Sequence, residues 1–534
     1  MGQIQLLDCT LRDGGYINEW NFGEEAVRGI TSGLNQAGVE IIECGFLSPD
    51  FSRPGRTRFP NTNHIGPEVQ KGKARLAAMI AIGEQELDPA QLCEKTDSPV
   101  DIIRLTFHEE EIEKAVRYGK EIQKKGYQLF MQPVGTALYS DRSLTALLEE
   151  MNQMRPEAFY LVDTSGTMYP ADVERMLYLV DHNLIPQICV GFHSHNNLQL
   201  SFSNAQQFIS FQTARSRIVD CAVFGMGRGA GNLCTELIAD YLNKTFGERY
   251  DILPLLEIID TTLSPIFARA PWGYSAAYFL AASYCCHPNY ASWLLAKQTL
   301  PVSAIAAILS RIPASRRGLF HRQLIERLYE ESQNGSRLSE NGPGWLRRQI
   351  GTREVLILGS GPSIQQAAET LRREIQKRSP FTIAVNCIPP FSCDLFFISN
   401  RKRYHLLKNR IQNVPVLFTS NMGEALPEDA VIADYESLVE KEEAAGDNSG
   451  MMLLRLLGRI GITSVSVAGF DGYHRNQVGN YFDEEFVGVS DSYELQRQNL
   501  SITTQLSQIK KTMRILFLTP TLYRTNIQDG EKAI

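Results

Sequence analysis

LLDCTLRDGG, residues 6–15, decides the fold of this chain, because it joins the end of a short apolar run to a charged turn that ends in two glycines. Seven more apolar runs, each followed by a polar helical stretch, recur before residue 245. Runs of this kind are typical of parallel strands buried on both faces. Eight such units in about 250 residues predict a (β/α)8 TIM barrel. The predicted strands are Ile4–Asp8, Val39–Phe46, Ala74–Ile82, Val100–Thr106, Tyr127–Pro133, Ala158–Asp163, Gln187–His193 and Val219–Phe224.

Two later segments, GFHSHNN at residues 191–197 and GMGRGAGN at residues 225–232, complete a set of metal-ligating side chains. Residues two apart on a strand point to the same face, so both histidines of the first segment can reach one ion. An aspartate with two histidines leaves coordination positions open for substrate. Nitrogen and oxygen ligands without thiolate favour Mn²⁺ or Mg²⁺, and Zn²⁺ and Fe²⁺ are also compatible. The candidate ligands are Asp13, His193, His195 and Asn232.

These segments resemble the DRE-TIM metallolyase superfamily, which includes 3-hydroxy-3-methylglutaryl-CoA lyase, isopropylmalate and homocitrate synthases, and 4-hydroxy-2-oxovalerate aldolase. The resemblance covers roughly residues 1–330 and is closest to the aldolase branch. It implies an enzyme that makes or breaks carbon–carbon bonds through an enolate, with Arg12 beside the metal aspartate as the donor to the enolate oxygen. The segments that favour this branch are TLRDGG, Ile103–Ala115, Asp163–Val173 and Gly273–Tyr278.

The general base is where the chain departs from the aldolase branch. That branch has a histidine three residues after the metal aspartate, and this chain has Tyr16 there. Tyrosine has a reference pKa of about 10, so as a base it needs help from the metal or from Arg12. Glu43, at the end of the second strand, and His108, at the end of the fourth, are alternatives. If either of these residues is the base, Tyr16 only shapes the pocket.

Other segments offer candidate substrate-binding residues. DTSGTMYP supplies two, although its aspartate also suits a structural role in which it orients Arg12 or a ligand histidine. The resemblance implies that a tyrosine of GYSAAY reaches the active site, although both tyrosines also suit an apolar core. The loop at residues 47–66 lacks helical periodicity and carries three arginines that suit a carboxylate or phosphate. The candidates are Asp163, Thr167, Tyr274, Tyr278, Arg53, Arg56 and Arg58.

Length and composition predict several domains in a cytoplasmic enzyme. The chain has 534 residues, 43% hydrophobic and 21% charged, which is ordinary for globular proteins. A net charge of −7 argues against nonspecific nucleic-acid binding. The first strand begins at once, which leaves no room for a signal peptide, and no apolar stretch is long enough to span a membrane. We expect a homo-oligomer that acts on a small 2-oxoacid and an aldehyde and contacts neither nucleic acid nor membrane.

A second α/β domain is predicted after the barrel. The barrel at residues 1–245 is followed by a helical region at 246–331, a Gly/Ser/Asn-rich linker at 332–352, and an open, Rossmann-like domain at 353–534. GSGPS places backbone N–H groups at a helix start, which suits a phosphate or nucleotide. No acidic residue follows at the second strand, so a nicotinamide cofactor is not expected. The candidate phosphate-binding residues are Gly359, Ser360, Gly361 and Ser363.

The sequence thus predicts a divalent-metal-dependent aldolase that cleaves or forms a 4-hydroxy-2-oxoacid through a pyruvate-type enolate. Two alternatives stay open. The first keeps the metal site and changes the electrophile, as in an acyl-CoA-dependent Claisen condensation or lyase. The second makes the C-terminal domain the working part, because its pattern weakly resembles bacterial sialyltransferase-like and pterin-pyrophosphokinase-like proteins, which handle nucleotides or activated sugars.

Overall fold

The computed structural model describes residues 2–49, 53–83, 87–333, 342–474, 480–482 and 492–523. The chain divides into two compact units. Unit 1 comprises Met1–Ser292 with Ile312–Phe320, and unit 2 comprises Trp293–Arg311 with His321–Ile534. The boundary therefore falls within the region predicted as helical at 246–331, whose segments are shared between the units.

Unit 1 contains the predicted TIM barrel, which is confirmed. Eight strands of the described residues pair in parallel, and β1 pairs with β2 to close the ring, while a short ninth strand, β3, pairs in parallel with the end of β2. The strands are β1 (Ile4–Asp8), β2 (Ile41–Leu47), β3 (Arg58–Phe59), β4 (Arg75–Ala81), β5 (Ile102–Phe107), β6 (Gln128–Pro133), β7 (Ala158–Asp163), β8 (Cys189–Ser194) and β9 (Arg217–Cys221).

Helices surround the barrel and continue after it. They are α1 (Gly15–Asn18), α2 (Glu24–Ala37), α3 (Ile112–Lys124), α4 (Asp141–Met154), α5 (Pro170–Asn183), α6 (Ser201–Ser210), α7 (Thr235–Phe246), α8 (Leu253–Ile258), α9 (Ser264–Arg269), α10 (Ala276–Ser283) and α11 (Pro288–Ala296). A π-helical turn, Ile259–Leu263, joins α8 to α9. Short 3₁₀ turns occur at Thr62–His64, Pro89–Gln91, Lys95–Asp97, Glu109–Glu111, Thr136–Leu138, Val223–Gly225 and Ala314–Arg316.

Alternation along the strands separates two apolar layers. Ile42 of β2 packs in the large cluster shared with the surrounding helices, whereas Ile41 packs with Leu7, Ile102 and Phe130 in a smaller one. Successive strand residues point to opposite faces, so the smaller cluster fills the inside of the barrel.

Unit 2 is built on seven parallel strands, with the order β14-β13-β12-β11-β10-β15-β16. The strands are β10 (Val355–Leu358), β11 (Phe381–Val385), β12 (Leu395–Ile398), β13 (Val416–Thr419), β14 (Val431–Ala433), β15 (Ser464–Ala468) and β16 (Arg514–Phe517). The parallel sheet agrees with the second α/β domain that was predicted after the barrel. Residues of β10 alternate between two apolar clusters, so both faces of the sheet are covered.

The helices of unit 2 are α12 (Val302–Ser310), α13 (Arg322–Gln333), α14 (Gly342–Ile350), α15 (Ser363–Gln366), α16 (Ala368–Arg378), α17 (Arg401–Leu407), α18 (Tyr435–Leu438), α19 (Ser449–Arg459) and α20 (Ser492–Ile509), with a 3₁₀ turn at Ser420–Ala425. Part of the linker predicted at 332–352 is thus helical, as α14, and its residues 334–341 lie outside the described residues. Within the described parts of the chain, no helix is long and apolar enough to cross a membrane.

Candidate active site

Three of the predicted metal ligands meet at the carboxyl end of the barrel. Asp13 lies in the turn between β1 and α1, and His193 and His195 lie at the end of β8. All three are buried, and their ligand atoms lie within 4.8 Å of one another. The two imidazole rings are nearly perpendicular, with centroids 5.2 Å apart. The arrangement presents one carboxylate and two imidazoles to a common point.

Asn232 provides the test of whether a metal fits. Its Nδ2 donates to Asp13 Oδ2 at 2.6 Å and to the carbonyl of Met226 at 2.9 Å. Its Oδ1 is buried and meets no donor among the described residues. A Cβ on Gly227 would lie 2.2 Å from Asn232 Nδ2 and 2.8 Å from Asp13 Oδ2, so glycine is required there. An orphan oxygen beside a carboxylate and two imidazoles fits a divalent cation.

A buried ion-pair network supports these ligands. Arg12 donates through Nε to Glu43 Oε2 at 2.8 Å and through Nη1 to Asp13 Oδ1 at 2.6 Å. Arg104 donates to the same Glu43 oxygen at 2.7 Å and pairs with Asp220. Three carboxylates thus face two guanidiniums, which leaves one negative charge for a cation to offset.

Asp220 fixes the orientation of one ligand histidine. Its Oδ2 lies 3.0 Å from His193 Nδ1, which leaves Nε2 of that ring as the nitrogen for a metal. Burial alone would raise the pKa of Asp220, but Arg104 and His193 hold that pKa below its usual value. The sequence analysis missed Arg104 and Asp220. Their signal was a charged residue inside each of two largely apolar strands.

Arg12 keeps one donor for another partner. Its Nη2 is buried and finds no acceptor among the described residues. The backbone carbonyl of Arg12 accepts from Trp20 Nε1 at 2.8 Å, which fixes the turn that carries the guanidinium. Burial by itself would lower the pKa of Arg12, but Glu43 and Asp13 raise it well above its usual value. The spare donor is therefore always charged.

Removing Glu43 should destabilise the barrel. Glu43→Ala leaves Arg12 and Arg104 buried without their shared acceptor, and breaking a buried ion pair in this way costs about 3–5 kcal/mol. Glu43→Gln keeps an oxygen at this place and should cost less. The matched control is Glu121→Ala, which removes an exposed ion pair with Lys124 and should cost at most about 1 kcal/mol. Equal unfolding free energies for Glu43→Ala and Glu121→Ala in urea titrations would contradict the network.

Asp163 serves the loop after β7 rather than an open site. Its carboxylate accepts from the backbone N–H groups of Thr167 at 2.8 Å and Met168 at 3.0 Å, and its carbonyl accepts from His195 N at 3.2 Å. Burial raises the pKa of Asp163 to about 6, against the lowering effect of these hydrogen bonds. Asp163 and Thr167 thus position the backbone beside a ligand histidine.

Tyr16 lies in an aromatic cluster with Trp20 and Phe46, with ring centroids 4.7 and 6.1 Å from its own. Guanidiniums cover these rings. Arg228 lies 4.2 Å from the Tyr16 centroid and Arg58 lies 4.9 Å from that of Trp20. Of the other two loop arginines, Arg53 is exposed and Arg56 is half-buried. The structure therefore places Tyr16 and Arg58 in one cationic, aromatic patch that adjoins Arg12.

Three other predicted residues make no hydrogen bond or ion pair with the metal-ligand group in the described part of the chain. His108 is half-buried just after β5, where its backbone N–H donates to Glu111 at 2.9 Å. Tyr274 is 58% exposed. The Tyr278 hydroxyl accepts from Ser292 Oγ at 3.1 Å. The helical segment instead brings His287 to the site, 3.5 Å from Arg228, a pairing that the sequence analysis missed.

The predicted phosphate-binding loop of unit 2 lines a cleft of about 650 Å³ through Gly359, Ser360 and Gly361. Ser363 is already engaged, since its backbone N–H donates to Asp471 Oδ2 at 2.8 Å and its hydroxyl pairs with the same carboxylate. A Cβ on Gly361 would lie 2.5 Å from that carboxylate, so the glycine permits this contact.

Comparison with known proteins matches the barrel to one family. Residues 3–260 match the family described as HMGL-like. The chain is 28% identical over 298 residues to a 4-hydroxy-2-oxovalerate aldolase of Roseiflexus sp.. The aligned region covers 52% of this chain and 84% of that protein. The chain is also 26% identical over 269 residues to an oxaloacetate decarboxylase of Mycobacterium tuberculosis. That aligned region covers 50% of this chain and 78% of that protein.

Among solved structures, the N-terminal domain of an aldolase candidate from Bacteroides vulgatus aligns with 26% identity and a TM-score of 0.47, over 54% of this chain and 96% of that one. The family match, the relatives and the buried Asp13–His193–His195 group agree with one another. Together they indicate a metal-dependent carbon–carbon lyase in residues 3–260.

Proposed function

We propose that unit 1 cleaves or forms a 4-hydroxy-2-oxoacid through the enolate of pyruvate. The observation that carries this proposal is the spare Nη2 donor of Arg12, buried beside the Asp13–His193–His195 group. Cleavage of 4-hydroxy-2-oxovalerate and decarboxylation of oxaloacetate, the reactions that two relatives are named for, both leave this enolate. Because both reactions share this intermediate, the two relatives support an enolate mechanism more directly than they support one particular substrate.

The residues divide the chemistry between them. Asp13, His193, His195 and the Asn232 oxygen would hold a divalent metal, which when bound acts as a Lewis acid on the 2-oxo oxygen. Arg12 donates to that oxygen as it gains charge, so the interaction is stronger in the transition state than in the ground state. Mn²⁺ or Mg²⁺ remains our preferred metal for this mixed nitrogen and oxygen set.

We propose Tyr16 as the group that moves the proton of the 4-hydroxyl. It follows Asp13 by three residues, and the Arg228 guanidinium lies 4.2 Å from the centroid of its ring. Glu43 is less suited, because its Oε2 already accepts from both Arg12 and Arg104. His108 makes no hydrogen bond to the metal-ligand group within the described residues.

Tyr16→Phe should lower kcat by about 10²–10⁴-fold, the usual cost of removing one proton-transfer group. KM should change little, because the ring and its contacts with Trp20 and Arg228 are kept. The measurement is steady-state cleavage of 4-hydroxy-2-oxovalerate, with released pyruvate reduced by lactate dehydrogenase. Tyr16→His should retain more activity than Tyr16→Phe. Wild-type kcat in Tyr16→Phe would remove the tyrosine from the reaction.

The overall proposal is tested with the full chain loaded with Mn²⁺. Cleavage of 4-hydroxy-2-oxoacids to pyruvate should need no coenzyme A and should stop in a chelator. Activity that appears only with acyl-CoA would replace the aldol reaction with a Claisen-type one at the same site.

We also propose that the chain forms a homo-oligomer. Light scattering tests this, and a molar mass of 60.0 kDa, the mass of one chain, would contradict it.

For unit 2 we propose a Rossmann-like, doubly wound sheet that binds a nucleotide or activated sugar. The strand order reverses between β10 and β15, and ligands of such sheets bind at the carboxyl ends on either side of that point. The 650 Å³ cleft is lined by the turns that follow these two strands, Gly359–Gly361 and Gly469–Tyr473. Because Asp471 occupies the Ser363 donors, we assign phosphate groups elsewhere in the cleft.

This second proposal is tested by thermal unfolding of the full chain with nucleoside diphosphates, triphosphates and sugar nucleotides. A ligand that binds the folded chain raises Tm, and the rise grows with the ratio of ligand concentration to Kd. Gly361→Leu, which forces a side chain against Asp471, should remove the shift. A panel that leaves Tm unchanged in the unmodified chain would overturn the proposal.

A further inference from the structure

Arg228 and His287 bring two hydrogen-bond donors together. Arg228 Nη1 lies 3.5 Å from His287 Nε2. The backbone N–H of Asn289 donates to His287 Nδ1 at 3.2 Å, so the proton of the neutral ring is on Nε2. Two N–H groups therefore face each other, and neither meets an acceptor elsewhere in the part of the chain that the structure describes. Such a pair calls for an acceptor that both can reach.

The pair carries one uncompensated positive charge. No carboxylate of the described residues lies within ion-pair distance of Arg228, whose guanidinium stacks on Tyr16. His287 is only 8% exposed. Its burial, followed by the charges of Arg228, His195 and His108, lowers its pKa to about 3, so the ring donates without adding charge. A half-buried guanidinium without a carboxylate suits an anion.

The local fold holds both donors in place. His287 N donates to the carbonyl of Arg317 at 2.8 Å. A Cβ on Gly229 would lie 3.4 Å from Pro288 Cβ, so the chain after His287 packs on the turn that carries Arg228. A site whose groups are positioned in advance loses less entropy when it binds.

The pair adjoins the metal-ligand group on the side of Tyr16. Arg228 lies four residues before Asn232 in the same turn. Its charge is among those that lower the pKa of Asp13, although burial opposes this lowering. The metal ligands and Arg12 serve the 2-oxoacid end of the substrate. Arg228 and His287 are therefore placed for the other end, where Tyr16 handles the 4-hydroxyl.

On the basis of the aldolase proposed above, we propose that Arg228 and His287 bind a second anionic group of the substrate, a carboxylate or a phosphate carried by the aldehyde that cleavage releases. One oxygen, or two oxygens of one group, can accept from both donors. The chain would then discriminate against uncharged aldehydes such as acetaldehyde.

The experiment runs the reaction in the direction of synthesis with the full chain, Mn²⁺ and pyruvate. Each charged aldehyde has an uncharged counterpart that lacks the anionic group. Succinic semialdehyde is compared with butanal, and glyceraldehyde 3-phosphate with glyceraldehyde. We expect kcat/KM to favour the charged member of one pair by about 10- to 100-fold, the range for a hydrogen bond to a charged group. The pair that shows the larger ratio identifies carboxylate or phosphate as the group.

Variants assign the preference to these two residues. Arg228→Met and His287→Leu should each bring the ratio of charged to uncharged aldehyde towards one, whatever their absolute rates. His287→Gln should keep more of the ratio than His287→Leu, because the glutamine amide can still donate. The control is Arg117→Met, which removes an exposed arginine of α3 and should leave the ratio as in the unmodified chain.

The outcomes separate this inference from the aldolase proposal. Exchange of the pyruvate methyl protons in D₂O reports enolate formation without any aldehyde. Normal exchange with equal kcat/KM for both members of each pair would overturn the anionic subsite and leave the aldolase standing. A preference that survives in Arg228→Met would place the anion elsewhere. Absence of both exchange and aldol product would overturn the aldolase and, with it, this inference.

Discussion

Asp13→Asn should lower turnover by roughly 10³-fold or more and abolish metal retention. Asp13 supplies the carboxylate of the Asp13–His193–His195 group, and the amide of an asparagine does not replace its negative charge. A metal that polarises a carbonyl contributes several kcal/mol to the transition state, and about 1.4 kcal/mol corresponds to tenfold in rate. The effect is therefore expected to be the largest of any single substitution in the barrel.

The fold should survive Asp13→Asn, because two carboxylates then face two guanidiniums in the buried network. The measurements are kcat, metal content by mass spectrometry, and the circular dichroism spectrum. Asp141→Asn, in an exposed ion pair with Arg175, is the matched control. Asp13→Asn with unchanged metal content and turnover would show that the metal lies elsewhere.

Arg12→Lys should lower kcat by about 10²–10³-fold, the range for removing one oxyanion donor. Arg12 uses Nε for Glu43 and Nη1 for Asp13, and keeps Nη2 for substrate. A lysine ammonium keeps the charge but cannot present three donors in this fixed fork. The control is Arg117→Lys on the outer face of α3, which should leave kcat unchanged.

Metal content should survive in Arg12→Lys, which separates its role from that of Asp13. If the lysine variant turned over at a rate near that of the unmodified chain, the oxyanion donor would have to be another residue. Loss of metal together with rate would instead make Arg12 a support for the ligand set.

The barrel strands were predictable because each is a compact apolar run between polar helices. The prediction matches the bounds of β1 and β7, and it placed β9 two residues late. Arg217, at the start of β9, is buried because its guanidinium donates to the carbonyls of Phe208, Ile209 and Phe211. The predicted strand extended to Phe224, whose φ of +58° marks a turn.

The pairing of residues within the ion-pair network was not predictable from local pattern. Arg104 is 61 residues from Glu43 and 116 residues from Asp220 in the chain, and only closure of the barrel brings them together. The pairing of Arg228 with His287, 59 residues apart, likewise depends on the path of the helices after the barrel. In contrast, Asp13, His193 and His195 were found because TLRDGG and HSHN are recognisable wherever they pack.

Exchange of the pyruvate methyl protons in D₂O tests most directly whether this site stabilises an enolate. The full chain loaded with Mn²⁺ is mixed with pyruvate alone, and the methyl signal is followed by proton NMR. We predict loss of the signal at an enzyme-dependent rate, which a chelator stops, added Mn²⁺ restores, and Asp13→Asn abolishes. Exchange that continues at the same rate in the metal-stripped enzyme or in Asp13→Asn would contradict enolate formation at Asp13, His193 and His195.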